Sequence, residues 1–318
     1  MLTILANAKI NLYLEVVGNR PDGFHELVMV MQSVALCDRI TLKPLNTPNT
    51  RIECNHPQVP TDSSNLAYKA VTLVQKTFPN RTNQFGGVEI DIDKKIPVGA
   101  GLAGGSSNAA ATLLGLNMLW DLGLTRIELQ ELGAQLGSDI PFCFVGGCAI
   151  ATGRGEEVAS ISNTPKLTAV LAKYSSLSVS TPWAYKAYRQ QFEDTYQPID
   201  TRPTLEDRQA RIRSSTMVKA LRDLNPPTIG NHLHNDLEKV VLPAHPKVSQ
   251  LKETMAAAAA LKGGLGTMMS GSGPTVFTLC EMPEQAEAIA QTIRQQIGDP
   301  DLQLFVAPFT AYGLRKQD

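Results

Sequence analysis

A chain of 318 residues with 43% hydrophobic content holds enough apolar material for one large or two ordinary domains. Charged residues make up 19% and nearly cancel, leaving a formal net charge of −1, which argues against nucleic acid or an anionic membrane as the main partner. Five cysteines (Cys37, Cys54, Cys143, Cys148, Cys280) without C-x-x-C spacing argue against zinc or disulfide frameworks, and neither a leader nor a span-length apolar window stands out, so a soluble cytoplasmic protein is expected.

In chain order, 12–17, 28–36 and 39–43 read as strands, the first turning at Arg20-Pro21-Asp22-Gly23. Helical spacing of apolar residues predicts a helix over 65–77, capped by Ser63 or Ser64. Residues 88–93 alternate like a strand with one wet face. A glycine-rich stretch then opens a helix ending near Trp120. A second helix over 125–136 is stopped by Gly137, and a strand at 148–151 leads into the turn Gly153-Arg154-Gly155. A further strand over 167–173 opens the second half. From 191 to 231 the sequence is polar and proline-punctuated, which predicts a surface excursion with one charged helix. Its arginines, Arg202, Arg208, Arg211 and Arg213, read as a solvated face. A helix over 252–261 ends at Gly263-Gly264, followed by Met268-Met269-Ser270-Gly271-Ser272-Gly273-Pro274 and a strand over 275–279. His232 and His234 read as structural, with Asn235 and Asp236 capping the next helix. This mixed order predicts an α+β protein in two halves, 1–160 and 161–318, with the boundary between 155 and 165.

The segment Pro97-Val98-Gly99-Ala100-Gly101-Leu102-Ala103-Gly104-Gly105-Ser106-Ser107 reads as a phosphate cradle. Glycines let backbone N–H groups approach a ligand, and serines ahead of good helix formers mark a helix start, where free N–H groups and the macrodipole favour an anion. A Walker A loop would need Lys before its Ser, where Gly105 stands. Gly99, Gly101 and Gly104 satisfy G-x-G-x-x-G, but the preceding strand alternates instead of being continuously apolar, and Asp121 sits between helices, not at a strand end. A dinucleotide site and a purely structural glycine turn remain the alternatives at this point.

The same segment resembles the phosphate loop of the galactokinase, homoserine kinase, mevalonate kinase and phosphomevalonate kinase superfamily. AKINLYLEV from Ala8, RPDGFHEL from Arg20, LGSDIPF from Leu136, HNDLE from His234 and MSGSGPTVF from Met269 narrow the resemblance to the 4-diphosphocytidyl-2-C-methyl-D-erythritol kinase family, in order and over residues 8 to about 280. The resemblance implies a two-domain kinase fold with the active site in the cleft. It implies phosphorylation of the substrate's 2-hydroxyl by ATP, with Mg2+, on the methylerythritol phosphate route to isoprenoids. By resemblance Asp139 is the base and Lys9 lies beside it, stabilising charge on the attacking oxygen. The loop residues hold the phosphates, Ser106 or Ser107 approaches the metal, and Asn65 and Lys94 with Lys95 are candidate adenine contacts. Phe24 and Tyr185 flank the cytosine, His25 meets its polar edge, and Asn11 and Thr181 contact the erythritol or diphosphate end. Phe24 stands where relatives usually carry Tyr, and Ala103 where many carry Gly; a methyl at 103 is tolerable if φ stays negative. Gly271-Ser272-Gly273 is expected against the phosphate site from the other half. The implied partner is the small-molecule substrate, with no nucleic acid or membrane and a monomer or weak homodimer. A homoserine- or mevalonate-type kinase, and a catalytically silent ATP-binding sensor on the same fold, remain the alternatives.

Overall fold

Two long strands organise the chain. In a computed structural model, which describes residues 1–196, 212 and 215–317, β1 (Leu2–Asn19) and β2 (His25–Leu45) form one antiparallel hairpin, joined by the predicted turn at 20–23. Leu2, Ile4 and Ala6 are buried and alternate with half-covered neighbours, the period of a strand with one apolar face. The break expected between residues 36 and 39 is a register shift instead: Asn7 pairs with Cys37 but Ala8 pairs with Val34. Further shifts at Asn11/Tyr13 and Val16/Gly18 let the ribbon bend without ending.

Around this hairpin the first sheet runs in the order β12-β1-β2-β4-β3, with β4 at Gly87–Asp93, β3 at Thr50–Cys54 and β12 at Leu314–Gln317. β5 (Cys148–Thr152) pairs with the other end of β2 and with β6 (Glu157–Ile161), while the two-residue β8 (His234–Asn235) lies parallel to β1 at Tyr13 and Leu14. One face is covered by α1 (Leu66–Thr77) and α3 (Gly104–Leu119), burying Ile4, Ile40, Leu42, Ile90 and Ile92 against Ala70, Val74, Leu113, Leu116 and Trp120. Gly115 permits this approach, since a Cβ there would meet Leu42 Cδ1 at 2.6 Å. The cap of α1 is Asn65, whose Oδ1 accepts from the Ala67 N–H at 2.8 Å, not Ser63 or Ser64; Ser64 is engaged by Asp62. α2 (Pro79–Phe85), α4 (Arg126–Ala134) and α5 (Ile140–Val145) complete this half. A reciprocal pair of bonds between Thr125 and Glu128 starts α4.

The second sheet, β11-β7-β10-β9, comprises Leu302–Pro308, Thr168–Tyr174, Val276–Cys280 and Gly266–Met269 in that order, all antiparallel. Its helices are α6 (Thr181–Phe192), α7 (Thr216–Arg222), α8 (Pro226–Asn231), α9 (Glu238–Ala244), α10 (Pro246–Lys262) and α11 (Pro283–Ile297). α10 ends at Gly263, which takes the left-handed conformation at φ +77°. Ala8, Ile10, Leu12 and Val30 of the first sheet share one buried cluster with Leu171, Phe277 and Leu279 of the second. The expected surface excursion is partly inward: α7 buries Met217, Val218, Ala220 and Leu221. Arg202, Arg208, Arg211 and Arg213 lie outside the described residues. Among the described residues no helix is long and apolar enough to cross a membrane.

Candidate active site

A cavity of about 870 Å³ opens where the two sheets meet, lined by the glycine loop, the start of α1, the turn after β1, the start of α6 and the second glycine loop at 271–272. At its floor, Lys9 and Asn11 sit two apart on β1 and therefore share a face. Lys9 Nζ donates to Asn11 Oδ1 at 2.6 Å and lies 3.8 Å from Asp139 Oδ2. Lys9 and Asn11 are buried, and the Asp139 side chain is 31% exposed, open to the cavity. Asp139 occupies the N-cap position of α5, with Pro141 in the first turn, yet its side chain makes no capping hydrogen bond. It is free for another partner. Asn11 Nδ2 reaches Met29 Sδ at 3.4 Å.

The loop from Ile96 to Gly105 hangs on a buried carboxylate. Asp38 is fully buried in β2 and accepts from the Lys95 and Ile96 N–H groups, from Asn108 Nδ2 at 2.7 Å and from the Lys94 ammonium. Leu102 C=O accepts from the Lys9 N–H at 3.1 Å, so the loop is also tied beside the Lys9–Asp139 pair. Gly99 and Gly101 have φ of +58° and +72°. At Gly101 a Cβ would strike the Ser270 carbonyl, and Ser270 Oγ donates to Gly101 O at 3.1 Å, so the second glycine loop closes on the first as expected.

Several expected contacts differ. Ala103 adopts φ +57°, ψ +27°, so the condition of a negative φ fails and the methyl is carried in a left-handed conformation at the helix start. Leu102 is buried in the core. Ser106 lines the cavity, but Ser107, one residue and about 100° further round α3, is buried and donates to Asn7 O at 2.8 Å. It therefore does not face a phosphate or metal. Pro97, Val98, Ala100, Gly104 and Gly105 line the cavity, although a Cβ on Gly104 would meet Lys94 Nζ and Ile96. Lys94 reaches the cavity wall with its ammonium already paired to Asp38, and Asn65 spends its side chain on Ala67 N–H and Pro60 O.

On the opposite side, Phe24, His25, Tyr185 and Thr181 all line the cavity. The ring facing Tyr185 is His25, stacked at 5.1 Å and 28°, while Phe24 is 49% exposed with the Arg154 guanidinium 5.0 Å above its face. His25 Nε2 is buried with no hydrogen-bond partner among the described residues. Burial, and after it the Arg189 charge, lowers the His25 pKa and favours its neutral form. Burial, with the Asp139 charge second, pushes the Tyr185 phenol up. Thr181 Oγ1 shares a 2.8 Å hydrogen bond with Ser272 Oγ, joining α6 to the second glycine loop. Sequence reasoning missed Arg154, Lys186, Arg189 and Ser138 as wall residues; only the glycines flanking Arg154 hinted at a specialised turn.

Asn235 and Asp236 do not cap the next helix as expected: the N-cap position of α9 is Leu237, with no side-chain capping bond, and both side chains are spent elsewhere. Asn235 Oδ1 accepts from the Leu237 N–H, but its Nδ2 donates to Met269 O and Gly271 O, bracing the second loop. Asp236 accepts from the Val16 N–H at 2.8 Å and from Lys239. Burial would raise its pKa, yet hydrogen bonds from His234, Lys239 and Val16 hold it at about 2.

Among the described residues, no group of three or more His, Cys, Asp or Glu could hold a metal ion. A magnesium ion bound mainly by nucleotide phosphates needs only one or two protein oxygens, and Ser106 supplies one on the cavity wall.

Residues 65–147 match the model of the GHMP kinases N terminal domain, and residues 217–299 match that of GHMP kinases C terminal. The chain is 56% identical over 313 residues to the 4-diphosphocytidyl-2-C-methyl-D-erythritol kinase of Gloeothece citriformis (strain PCC 7424), covering 98% of this chain and 97% of that protein. It is 55% identical to the enzyme of that name from Microcystis aeruginosa (strain NIES-843 / IAM M-2473), covering 98% of each. A crystal structure of a 4-(cytidine 5'-diphospho)-2C-methyl-D-erythritol kinase superposes with a TM-score of 0.72 at 31% identity, over 96% of this chain and 98% of that one. A homoserine kinase from Cytophaga hutchinsonii ATCC 33406 shares the fold, with a TM-score of 0.72 at 19% identity, over 99% of this chain and 97% of that one.

Proposed function

The chain belongs to the 4-diphosphocytidyl-2-C-methyl-D-erythritol kinase family of the GHMP kinases, and from that premise we propose how its residues perform the reaction. The enzyme phosphorylates the 2-hydroxyl of 4-diphosphocytidyl-2-C-methyl-D-erythritol with ATP, in isoprenoid precursor synthesis. The observation that carries the assignment to this cavity is the Lys9–Asp139 pair, 3.8 Å apart between a glycine loop and an aromatic wall.

Phosphoryl transfer asks for positioning and charge stabilisation more than for covalent chemistry by the protein. The N–H groups of the loop and the N-terminal end of α3 hold the phosphates, with the Ser106 hydroxyl beside them. Mg2+, brought with the nucleotide, would neutralise phosphate charge, and Ser106, with its hydroxyl on the cavity wall, is the residue that would hold it. Asp139 accepts the proton of the substrate hydroxyl as its oxygen bonds to the γ-phosphorus and the bond to the β-phosphate oxygen breaks, releasing ADP. Lys9 stabilises charge on the attacking oxygen, and Asn11 fixes the Lys9 ammonium. At the far end Phe24 and the Tyr185 region flank the cytosine, the unsatisfied His25 Nε2 meets its polar edge, and Thr181 faces the linker. A sensor has no use for a buried lysine aimed at a free carboxylate, so the pair favours the kinase.

The test is turnover of ATP against the cytidyl substrate, mevalonate and homoserine in parallel. Phosphorylation of the cytidyl substrate alone is expected; comparable turnover of mevalonate or homoserine, or none at all, overturns the reading.

A further inference from the structure

Arg154 stands at the tip of the turn between β5 and β6, and three groups fix it. Its Nη2 donates to Ala134 O at 2.6 Å, its Nε lies 3.5 Å from Glu156 Oε1, and its guanidinium carbon sits 5.0 Å from the centroid of the Phe24 ring. Ala134 is the last residue of α4, whose terminal carbonyls lack intrahelical donors and attract a cation. The turn itself is built for this placement. Gly153 and Gly155 have φ of +70° and +114°, Gly153 O accepts from the Leu27 N–H at 2.7 Å, and Arg154 N–H donates to Glu156 Oε2.

Phe24 has few other restraints. Its backbone is set by Arg20 N–H to Phe24 O at 2.8 Å and by Phe24 N–H to Asp22 Oδ1 at 3.1 Å, but its ring is half exposed and belongs to no buried cluster. A half-exposed ring on a turn swings freely unless something holds one face. A guanidinium held by a helix end and a carboxylate is suited to that, because Arg stacks flat on an aromatic ring.

We propose that Arg154 is a positioning residue for base recognition: anchored to the end of α4, it holds the Phe24 ring in place as one wall of the slot for the substrate's pyrimidine. This rests on the proposed cytidyl reading of the site. Arg154 acts through Phe24, its Nη2 held by Ala134 O and its Nε beside Glu156; the alternative, direct contact with the diphosphate, is the outcome that the cytidine comparison separates. The base wall is thereby coupled to α4, the helix that leads by way of Gly137 and Ser138 to Asp139.

Cytidine, which has no phosphate, separates the two roles. Its inhibition constant against the cytidyl substrate is measured for the wild type, Arg154→Met, Phe24→Leu and the double variant, with KM for both substrates, kcat and the thermal midpoint. Arg154→Met is expected to weaken cytidine about threefold to tenfold. The effect should fall on the cytidyl KM more than on kcat, with the KM for ATP moving less than twofold. In the Phe24→Leu background the same change should weaken cytidine less than twofold further. Unchanged cytidine binding with a raised cytidyl KM would mean direct contact with the diphosphate and overturn the proposal, as would full additivity. Arg154→Lys keeps the charge and loses the planar fork, so it carries the same test with an expected loss of about twofold or more should Arg154→Met not fold. Failure of the wild type to bind cytidine or to turn over the cytidyl substrate would instead overturn the functional reading beneath it.

Discussion

The nucleotide side of the cleft and the base side are made of different material. The first is backbone: a loop whose glycines take positive φ, pinned from below by the buried carboxylate of Asp38 and from the side by Ser270. The second is side chain: a half-exposed Phe24, His25 stacked on Tyr185, and Arg154 brought from another turn. Backbone geometry is common to any nucleoside triphosphate user on this fold, whereas rings and their props choose one substrate. Damage on the first side should therefore be structural, and damage on the second selective.

The largest effect is expected from Asp38→Ala. It leaves the Lys94 ammonium buried without its partner and removes the acceptor for the Lys95, Ile96 and Asn108 donors. Breaking a buried pair from one side costs about 3–5 kcal/mol, so a thermal midpoint about 5–8 °C lower is expected from the size scaling of such shifts, with ATP affinity lost in parallel. A midpoint unmoved in a thermal melt, with normal ATP titration, would show that the loop does not hang on Asp38.

Between the two sides lies the pair that joins them. Asp139→Asn should keep the fold, since Asp139 caps nothing, and should lower kcat on the order of 10²-fold or more, as expected for a lost base. Lys9→Ala should lower kcat comparably. Circular dichroism and ATP binding check the fold; near-normal turnover in both variants would remove the pair from the chemistry.

Local signals made the nucleotide side readable in the sequence and left the base side to resemblance. Glycine spacing, serines ahead of an alanine-rich run and Gly-Ser-Asp-Ile-Pro are contiguous, so their backbone consequences follow from neighbours alone. Even there a rotation of one residue decided matters: Ser106 and Ser107 look equivalent in a string, but on a helix one faces the cavity and the other Asn7 O. Asp38 lies more than fifty residues from the loop it holds, and Arg154 meets Phe24 from 130 positions away; no pattern in a single sequence couples them. The fold class followed from the order of elements, while the single long hairpin did not, because its register shifts read as strand ends.

Phe24→Ala sharpens the contrast on the base side. Stacking on an aromatic ring is worth about 1–3 kcal/mol per base, so the cytidyl KM should rise about tenfold, one decade being about 1.4 kcal/mol, while the KM for ATP hardly moves. Tyr185→Ala should behave similarly, with an added loss of stability because its ring packs against a buried cluster that includes Leu14, Met29, Ala184 and Tyr188. Steady-state kinetics with each substrate varied separately measures both. A Phe24→Ala enzyme with an intact cytidyl KM, or a wild type with which CMP does not compete, would place the base elsewhere.

The smallest effect lies on the backbone side, at Ala103. Its φ of +57° costs an L-residue roughly 1–2 kcal/mol relative to glycine in the left-handed region. Glycine in turn gives up roughly 0.4–1 kcal/mol through the greater freedom of the unfolded chain. The difference favours Ala103→Gly by about 0.5 kcal/mol, a rise of about 1 °C or slightly less in thermal midpoint for a chain of this size. Ala100 in the same loop is the control: it is buried and not in the left-handed region, so Ala100→Gly gains no relief and should lower the midpoint. Paired melts in identical buffer resolve the two signs. Should both substitutions destabilise alike, the left-handed start of α3 would carry no strain, and the backbone side would owe its shape to Asp38 and Ser270 alone.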